Sequence, residues 1–274
     1  MQGAGWIEDK NISVDYRFTA GSLAKTNSTA AELVALAPDL IYAFGLPATQ
    51  ALHQKTRTIP IVFTQCADPV GFGLVTSLAH PGGNLTGFMA WELSIGGKWL
   101  ELLREIAPEL SHVGIIYNPD TASYAPPLIA SAKAAAGREV TVIEFPVHDG
   151  REIEAALSSL GHEPHGGLLV IPEQFTNSHQ EQIITLTAQF GIPTITSFGR
   201  AADRGALISY TYAFDAMIQG PVAYIDRILK GASPSDLPVQ APTKFELSIN
   251  LKTAKALGLT VPQSLLVAAD EVVE

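Results

Sequence analysis

Short apolar runs alternate with longer amphipathic segments along almost the whole chain. Several apolar runs, such as Ile59–Phe63, are continuous, which is typical of strands covered on both faces. The amphipathic segments, such as that from about Leu93 to Ala107, repeat their apolar residues at helical spacing. The predicted strands are Ile12–Phe18, Leu40–Phe44, Ile59–Phe63, Leu85–Met89, Val113–Tyr117, Val140–Phe145, Leu168–Ile171, Thr194–Ser197 and Leu207–Tyr212. This alternation predicts an α/β fold with parallel sheets and helices on both faces.

Three irregular joins interrupt the alternation. The first is Trp91–Glu92, the second is Tyr210–Phe214, and the third is the proline-rich stretch 233–246. A chain that crosses three times between two lobes produces joins of this kind. The pattern therefore predicts two Rossmann-like, doubly wound lobes.

Composition and charge restrict the partners of the protein. The 274 residues suffice for one large domain or two lobes, and no apolar run approaches the length of a membrane span. The formal net charge of −10 argues against a surface for nucleic acid or anionic membranes. Cys66 is the only cysteine, so an intrachain disulfide and a cysteine-rich metal site are both excluded.

Recognisable reaction chemistry is scarce. The sequence contains neither a GxxxxGK[ST] phosphate loop nor a GxSxG nucleophile elbow. The HEPH sequence of His162 and His165 has a proline between its histidines and indicates a solvated loop rather than a metal site. Cys66 is either a nucleophile or a small buried residue, and Asp68 is either a general base or a turn former. The sequence favours binding over catalysis, and we predict no catalytic residue, metal site or cofactor.

Polar and turn-forming residues follow most of the predicted strands. In an open parallel sheet, ligands bind beyond the carboxyl ends of the strands. Gln65 and Asp68 follow Ile59–Phe63 in this way. After Leu40–Phe44 comes GLPATQ, where a helix opening near Pro47 would direct free N–H groups at an anion or carboxylate. Each of these positions also has an ordinary interpretation as turn chemistry.

Four segments carry a resemblance to a known family. DLIYAFGLPATQAL, TIPIVFTQCADPVGFGLVTSLAHPGGNLTGF, GGKWLELLREIAPELSHVGIIYNPD and PTKFELSINLKTAKALGLTVPQSLL closely resemble the ABC-transporter substrate-binding proteins, which include tryptophan-type binders. The resemblance runs from about Gly5 to the C-terminus. It implies the periplasmic binding protein type I fold, with a small-molecule ligand between two lobes and an ABC permease as partner. It divides the chain into an N-terminal lobe, 1–92 and 213–240, and a C-terminal lobe, 93–212 and 241–274.

The resemblance also implies a function and a set of ligand contacts. We expect a solute-binding component of an ABC importer that closes like a hinge on its ligand, with aromatic amino acids and related amines or carboxylates as the ligand class. The strand ends and joins supply the candidate ligand-binding residues, which are Pro47, Ala48, Thr49, Gln65, Asp68, Trp91, Asn118, Asp120, Tyr124, Glu173, Ser197, Phe198, Tyr212 and Asp215. Trp91 has two interpretations, as a wall of the ligand cleft or as packing at a hinge.

The first residues depart from the family pattern. GAGWIEDKNISVDYRF resembles the end of the first helix and the second strand, so the first βα unit of the N-terminal lobe is expected to be missing. Either the native gene begins upstream, or another chain completes the lobe as a dimer. Members of the family carry a secretion or lipoprotein signal, and a periplasmic or lipid-anchored extracytoplasmic location is expected for the full-length form.

Two alternatives stay open from the sequence. The same architecture serves cytosolic sensors of small molecules, and the first residues show no secretion signal, which favours that class. It also serves soluble enzymes, since a fold does not determine a function.

Overall fold

The computed structural model describes residues 1–19 and 22–274, with the side chains of 214–218 left out. The strands in chain order are β1 (Ile41–Phe44), β2 (Ile61–Cys66), β3 (Leu85–Met89), β4 (His112–Tyr117), β5 (Thr141–Pro146), β6 (Gly166–Val170), β7 (Thr194–Thr196), β8 (Ile208–Tyr212), β9 (Phe245–Asn250) and β10 (Glu271–Val273). The α-helices are α1 (Leu23–Ala35), α2 (Leu46–Lys55), α3 (Ile95–Ile106), α4 (Ala125–Ala136), α5 (Gly150–Gly161), α6 (Gln174–Ser178), α7 (Gln180–Phe190), α8 (Phe214–Leu229), α9 (Leu251–Ala256) and α10 (Gln263–Ala268).

The chain divides into two compact units, each made of two stretches. Unit 1 comprises Met1–Glu92 and Ala213–Thr243, and unit 2 comprises Leu93–Tyr212 and Lys244–Glu274. None of the helices in the described part of the chain has the length and hydrophobicity of a membrane span.

Unit 1 is built on a parallel sheet of three strands in the order β1-β2-β3. β2 is the central strand and is buried along almost its whole length, as its continuous apolar sequence predicts. Val62 on β2 packs with Tyr224 and Ile228 of α8. The N-terminal residues contact the same helix, because Trp6 Nε1 donates a hydrogen bond to Asp226 Oδ1 at 2.8 Å.

Unit 2 is built on a sheet of seven strands in the order β10-β9-β8-β7-β6-β4-β5. Neighbouring strands are parallel except β8 and β9, which run antiparallel. Helices α3 and α4 approach each other closely, because a Cβ placed on Gly96 would lie 2.3 Å from the Leu128 carbonyl oxygen. Only glycine allows this separation, which brings both helices onto one core.

The prediction of parallel α/β sheets is confirmed, with two corrections to the strands. The strand predicted at Ile12–Phe18 is wrong: residues 13–19 form no strand, and Ile12 makes only an isolated bridge to Glu8. Alternation alone does not make a strand, which also needs a neighbour for its backbone hydrogen bonds. β9 was not among the strands predicted from the apolar pattern, although its burial does follow the antiparallel, half-covered pattern.

Candidate functional site

In unit 1, the carboxyl end of β1 leads directly into helix α2. Gly45 makes the turn with φ of 87°, and its N–H group donates to the Thr64 carbonyl oxygen at 2.8 Å. The first helical backbone bond comes from Thr49 to Gly45, so the N–H groups of Leu46 and Ala48 precede the hydrogen-bond ladder. Pro47 has no N–H group and suits the first turn. This turn can therefore receive an anionic group.

Thr49 is placed differently from its neighbours. It is fully buried, and its hydroxyl donates to the Gly45 carbonyl oxygen at 2.8 Å. The hydroxyl thus secures the start of α2 rather than presenting a free group to solvent. Thr49 therefore holds the first turn of α2 in place, and Ala48 contributes its backbone N–H group to the helix opening.

The carboxyl end of β2 has an irregular backbone. Gln65 and Asp68 adopt positive φ angles of 56° and 43°, and the register of β2 against β3 shifts between Phe63 and Cys66. Left-handed backbone is uncommon for residues other than glycine and often occurs at functional sites. Asp68 Oδ1 accepts a hydrogen bond from the Gly71 N–H at 2.8 Å. Asp68 as a whole residue is half-buried.

Cys66 is buried beside this turn. Burial, followed by the nearby Asp68 charge, raises the pKa of the Cys66 thiol far above its ordinary value. The thiol is therefore protonated at neutral pH and is a poor nucleophile. Of the two interpretations of Cys66, the structure favours a small buried residue.

Trp91 follows β3 in the last part of the first stretch of unit 1. Its side chain is buried. The residue immediately precedes Glu92, the last residue of this stretch.

In unit 2, Glu173 joins the loops that follow β4 and β6. It is only 8% exposed and forms the N-cap of α6. Its carboxylate accepts hydrogen bonds from the Thr176 N–H at 2.8 Å and the Thr121 hydroxyl at 2.6 Å. It also accepts from the N–H groups of Phe175 and Asn118. The chain itself supplies four donors to Glu173, so this residue positions the loops.

The loop after β4 presents one carboxylate to solvent. Asn118 is buried, and its Oδ1 accepts from the Asp120 N–H at 2.8 Å, which is an Asx turn. The Asp120 carboxylate is exposed and lies 3.9 Å from His148 Nε2. Tyr124 is buried and donates its hydroxyl to the Pro172 carbonyl oxygen at 2.6 Å. Asp120 is thus the accessible charge of this loop.

The remaining candidates lie at the ends of β7 and β8 and at the start of α8. Ser197 is buried, and Phe198 packs into the core of unit 2. Tyr212 is half-buried at the last position of β8, where it pairs with Phe245 of β9. The side chain of Asp215 lies outside the part of the chain that the structure describes.

Two threonines were not singled out from the sequence. Thr121 and Thr176 both contact Glu173, and Glu173 and Thr176 form a reciprocal capping box. The order Glu-x-x-Thr is the reverse of the usual capping-box sequence, in which Ser or Thr precedes Glu or Gln, so Thr176 was easily overlooked. Thr121 gives no local signal, since it lies 52 residues from Glu173.

Two α/β units with parallel sheets and polar strand ends define the class of solute-binding proteins with the periplasmic-binding-protein fold. The sequence profile described as "ABC transporter substrate binding protein" matches residues 1–273. The chain belongs to this family.

Three similar proteins agree with this assignment. A tyrosine-binding protein of Clostridioides difficile is 30% identical over 94% of this chain and 74% of its own length. The structure of an ABC domain in complex with L-Trp from Streptococcus pneumonia has a TM-score of 0.87 and 26% identity, with 97% of this chain and 89% of that chain covered. A conserved domain protein from Vibrio cholerae has a TM-score of 0.91 and 30% identity, with 99% and 90% covered.

The comparisons confirm the predicted fold class and family. The protein is a substrate-binding component that binds a small molecule for an ABC transporter, and the family acts outside the cytoplasm. The family and the similar proteins are solute-binding proteins rather than enzymes. The individual ligand contacts stay predictions.

Proposed function

We propose that the solute is an amino acid with an aromatic side chain, recognised through both its α-carboxylate and its α-ammonium group. The observation that carries this proposal is the pairing of two complementary groups in unit 1. The first turn of α2 offers N–H donors at the end of β1, and Asp68 offers an acceptor at the end of the adjacent strand β2. A zwitterion matches this combination of donors and acceptor.

The names of the similar proteins support the ligand class. One is a tyrosine-binding protein, and another is in complex with L-Trp. In unit 2, the exposed Asp120 carboxylate would reinforce selection for an amino group. Tyr212 and Trp91 are our candidates for contact with the aromatic ring. We also propose that the two units close on the solute like a hinge, which small-angle X-ray scattering with and without solute would test.

The experiment is a thermal-shift series with matched ligands. L-Trp, L-Tyr and L-Phe should raise the melting temperature, because a ligand that binds only the native state stabilises it by mass action. Tryptamine, which lacks the carboxylate, and indole-3-propionate, which lacks the amine, should have much smaller effects. If tryptamine and L-Trp stabilised equally, the α2 opening would not be a carboxylate site. Recovery of unchanged solute by NMR would support binding without turnover.

A charge-removing variant tests Asp68. Asp68→Asn retains an acceptor for the Gly71 N–H but removes the negative charge, and it should weaken binding by about 1–3 kcal/mol in calorimetry. Asp236→Asn is the matched control, because Asp236 is exposed in the same unit and was not placed in the site. Equal affinities of the two variants would remove Asp68 from the ligand contacts.

The departure of the first residues from the family pattern predicted either a start upstream of Met1 or a dimer through the N-terminal lobe. We propose that two copies of the chain associate through unit 1. The concentration of exposed apolar side chains in its first residues supports this proposal.

A further inference from the structure

The loop that follows β5 lies beside the loop that carries Asp120. The Val147 N–H donates to the Tyr117 carbonyl oxygen at 2.9 Å, which joins the two loops just past the ends of β4 and β5. The next residue is His148, whose Nε2 lies 3.9 Å from Asp120 Oδ2. A titratable side chain thus adjoins the carboxylate to which the proposed function assigns selection for an amino group.

Glu152 on α5 sets the orientation of the imidazole ring. Its Oε2 accepts a hydrogen bond from the His148 backbone N–H at 2.6 Å and lies 3.1 Å from His148 Nδ1. An ionised carboxylate only accepts hydrogen bonds, so this contact assigns the proton of the neutral ring to Nδ1. Nε2 then carries a lone pair and faces the Asp120 carboxylate, which is also an acceptor. The neutral ring therefore gives Asp120 no hydrogen bond.

Protonation of the ring changes what it offers to Asp120. An imidazolium donates from both nitrogens, so Nδ1–H keeps its contact with Glu152 while Nε2–H can donate to Asp120. The positive charge also offsets the Asp120 charge that would otherwise attract the ammonium group of a solute. Histidine is the side chain whose charge ordinarily changes between about pH 5 and 8, so mild acid is enough for this change.

Other charged groups near His148 are engaged elsewhere. Within the described residues, no carboxylate besides these two forms an ion pair with its ring. Asp149, the next residue, caps α5 and pairs with Arg151 at 2.9 Å. Helix α7 approaches the start of α5 through Gln182, whose amide carries no charge. The two facing carboxylates are therefore the groups on which the charge of His148 acts.

We propose that His148 is a positioning residue that controls how far the Asp120 carboxylate is available to the amino group of the solute. This inference rests on the proposed function, in which Asp120 selects for that group. Neutral His148 leaves the Asp120 charge to the solute, whereas protonated His148 draws the carboxylate into an ion pair between the two loops. Solute affinity therefore falls in mild acid. Both side chains are exposed, and a competing ion pair on the surface corresponds to a loss of about two- to fivefold.

The first test is calorimetry with L-Trp, which itself keeps both charges between neutral pH and mild acid. Wild type should bind about two- to fivefold more weakly at about pH 5.5 than at about pH 7.5. His148→Gln cannot become charged and should lose most of this change. His162→Gln is the matched control, because His162 is exposed in the same unit and contacts the Ser158 carbonyl oxygen of its own helix. This control should keep the wild-type pH dependence.

The outcomes separate this inference from the proposed function. If wild type bound no aromatic amino acid at either pH, the proposed function would fail, and the role of His148 with it. If wild type bound L-Trp while His148→Gln kept the full pH dependence, the role of His148 alone would be overturned.

The second test needs no solute. At about pH 8, where histidine is ordinarily neutral, ¹⁵N NMR of the ligand-free protein should show the His148 proton on Nδ1. Glu152→Gln should weaken this preference, because an amide can donate to the ring as well as accept from it. A wild-type ring with its proton on Nε2 would overturn the arrangement, whatever the result with L-Trp.

Discussion

The buried carboxylate of Glu173 gives the sharpest test of how unit 2 is held together. Glu173→Gln keeps the volume and one acceptor oxygen but turns the other oxygen into an NH₂ donor. That donor would face either the Thr121 hydroxyl and the Phe175 N–H or the Thr176 and Asn118 N–H groups. Either orientation of the amide leaves buried donors without an acceptor.

The expected loss follows from these contacts. A hydrogen bond to a charged group contributes about 1.5–3 kcal/mol, and loss of an N-cap costs about 0.5–2 kcal/mol. Since the glutamine oxygen retains part of the set, we expect Glu173→Gln to lower the free energy of unfolding by about 2–4 kcal/mol. Urea denaturation measures this change. Hydrogen exchange followed by mass spectrometry should show faster exchange in peptides spanning 112–124 and 171–178.

A matched control separates this effect from a general effect of losing a glutamate. Glu154 is exposed on α5 in the same unit, and Glu154→Gln should change stability by less than about 0.5 kcal/mol. Because Glu173 binds its own chain, its substitution should destabilise the protein even without solute. A loss below about 1 kcal/mol, with unchanged exchange in both peptides, would refute the positioning role of Glu173.

Two further predictions concern helix packing and acid stability. Gly96→Ala should destabilise the protein by about 1–3 kcal/mol in urea denaturation, because its Cβ would overlap the Leu128 carbonyl, whereas Gly199→Ala, with open space around it, should be nearly neutral. The Glu152 N–H, followed by other local hydrogen bonds, lowers the pKa of Asp149 at the N-cap of α5. Asp149 therefore stabilises the fold above its unfolded pKa, about 3.9, and this contribution is lost as the pH falls through the lower folded value. The stability difference between wild type and Asp149→Ala should shrink below about pH 4 in thermal denaturation, and a constant difference would contradict it.

Much of the sheet architecture was predictable because continuous apolar runs mark buried parallel strands. β2 and β6 are examples, and both lie inside their sheets. The prediction at Ile12–Phe18 was wrong for a different reason. Alternation of apolar and polar residues indicates a strand only where one face is covered and a neighbouring strand accepts the backbone hydrogen bonds. The apolar pattern missed β9 because this strand alternates next to a proline-rich stretch and gains its strand conformation from pairing with β8.

The sequence predicted which candidate residues follow strands, but it did not predict their hydrogen bonds. The strand-end rule located Asn118 and Glu173, because both follow a strand of the parallel sheet. It gave no information on the partners of the Glu173 carboxylate, which include Thr121 from a distant loop. Likewise, Asp68 was recognised as a turn residue, but the left-handed backbone around it depends on the shift between β2 and β3. Contacts between distant segments are set by the sheet order, which no local pattern encodes.

The division of each unit into two chain stretches has a consequence for biosynthesis. The first stretch of unit 1 ends at Glu92, and its α8 belongs to a stretch that begins only at Ala213. A ribosome must therefore deliver most of unit 2 before Val62 can meet Tyr224 and Ile228. Unit 2 in turn waits for β9 and β10, which are near the end of the chain. Neither half can mature before synthesis is almost finished, so the nascent polypeptide passes through a long period in which chaperones have access to its unfinished sheets.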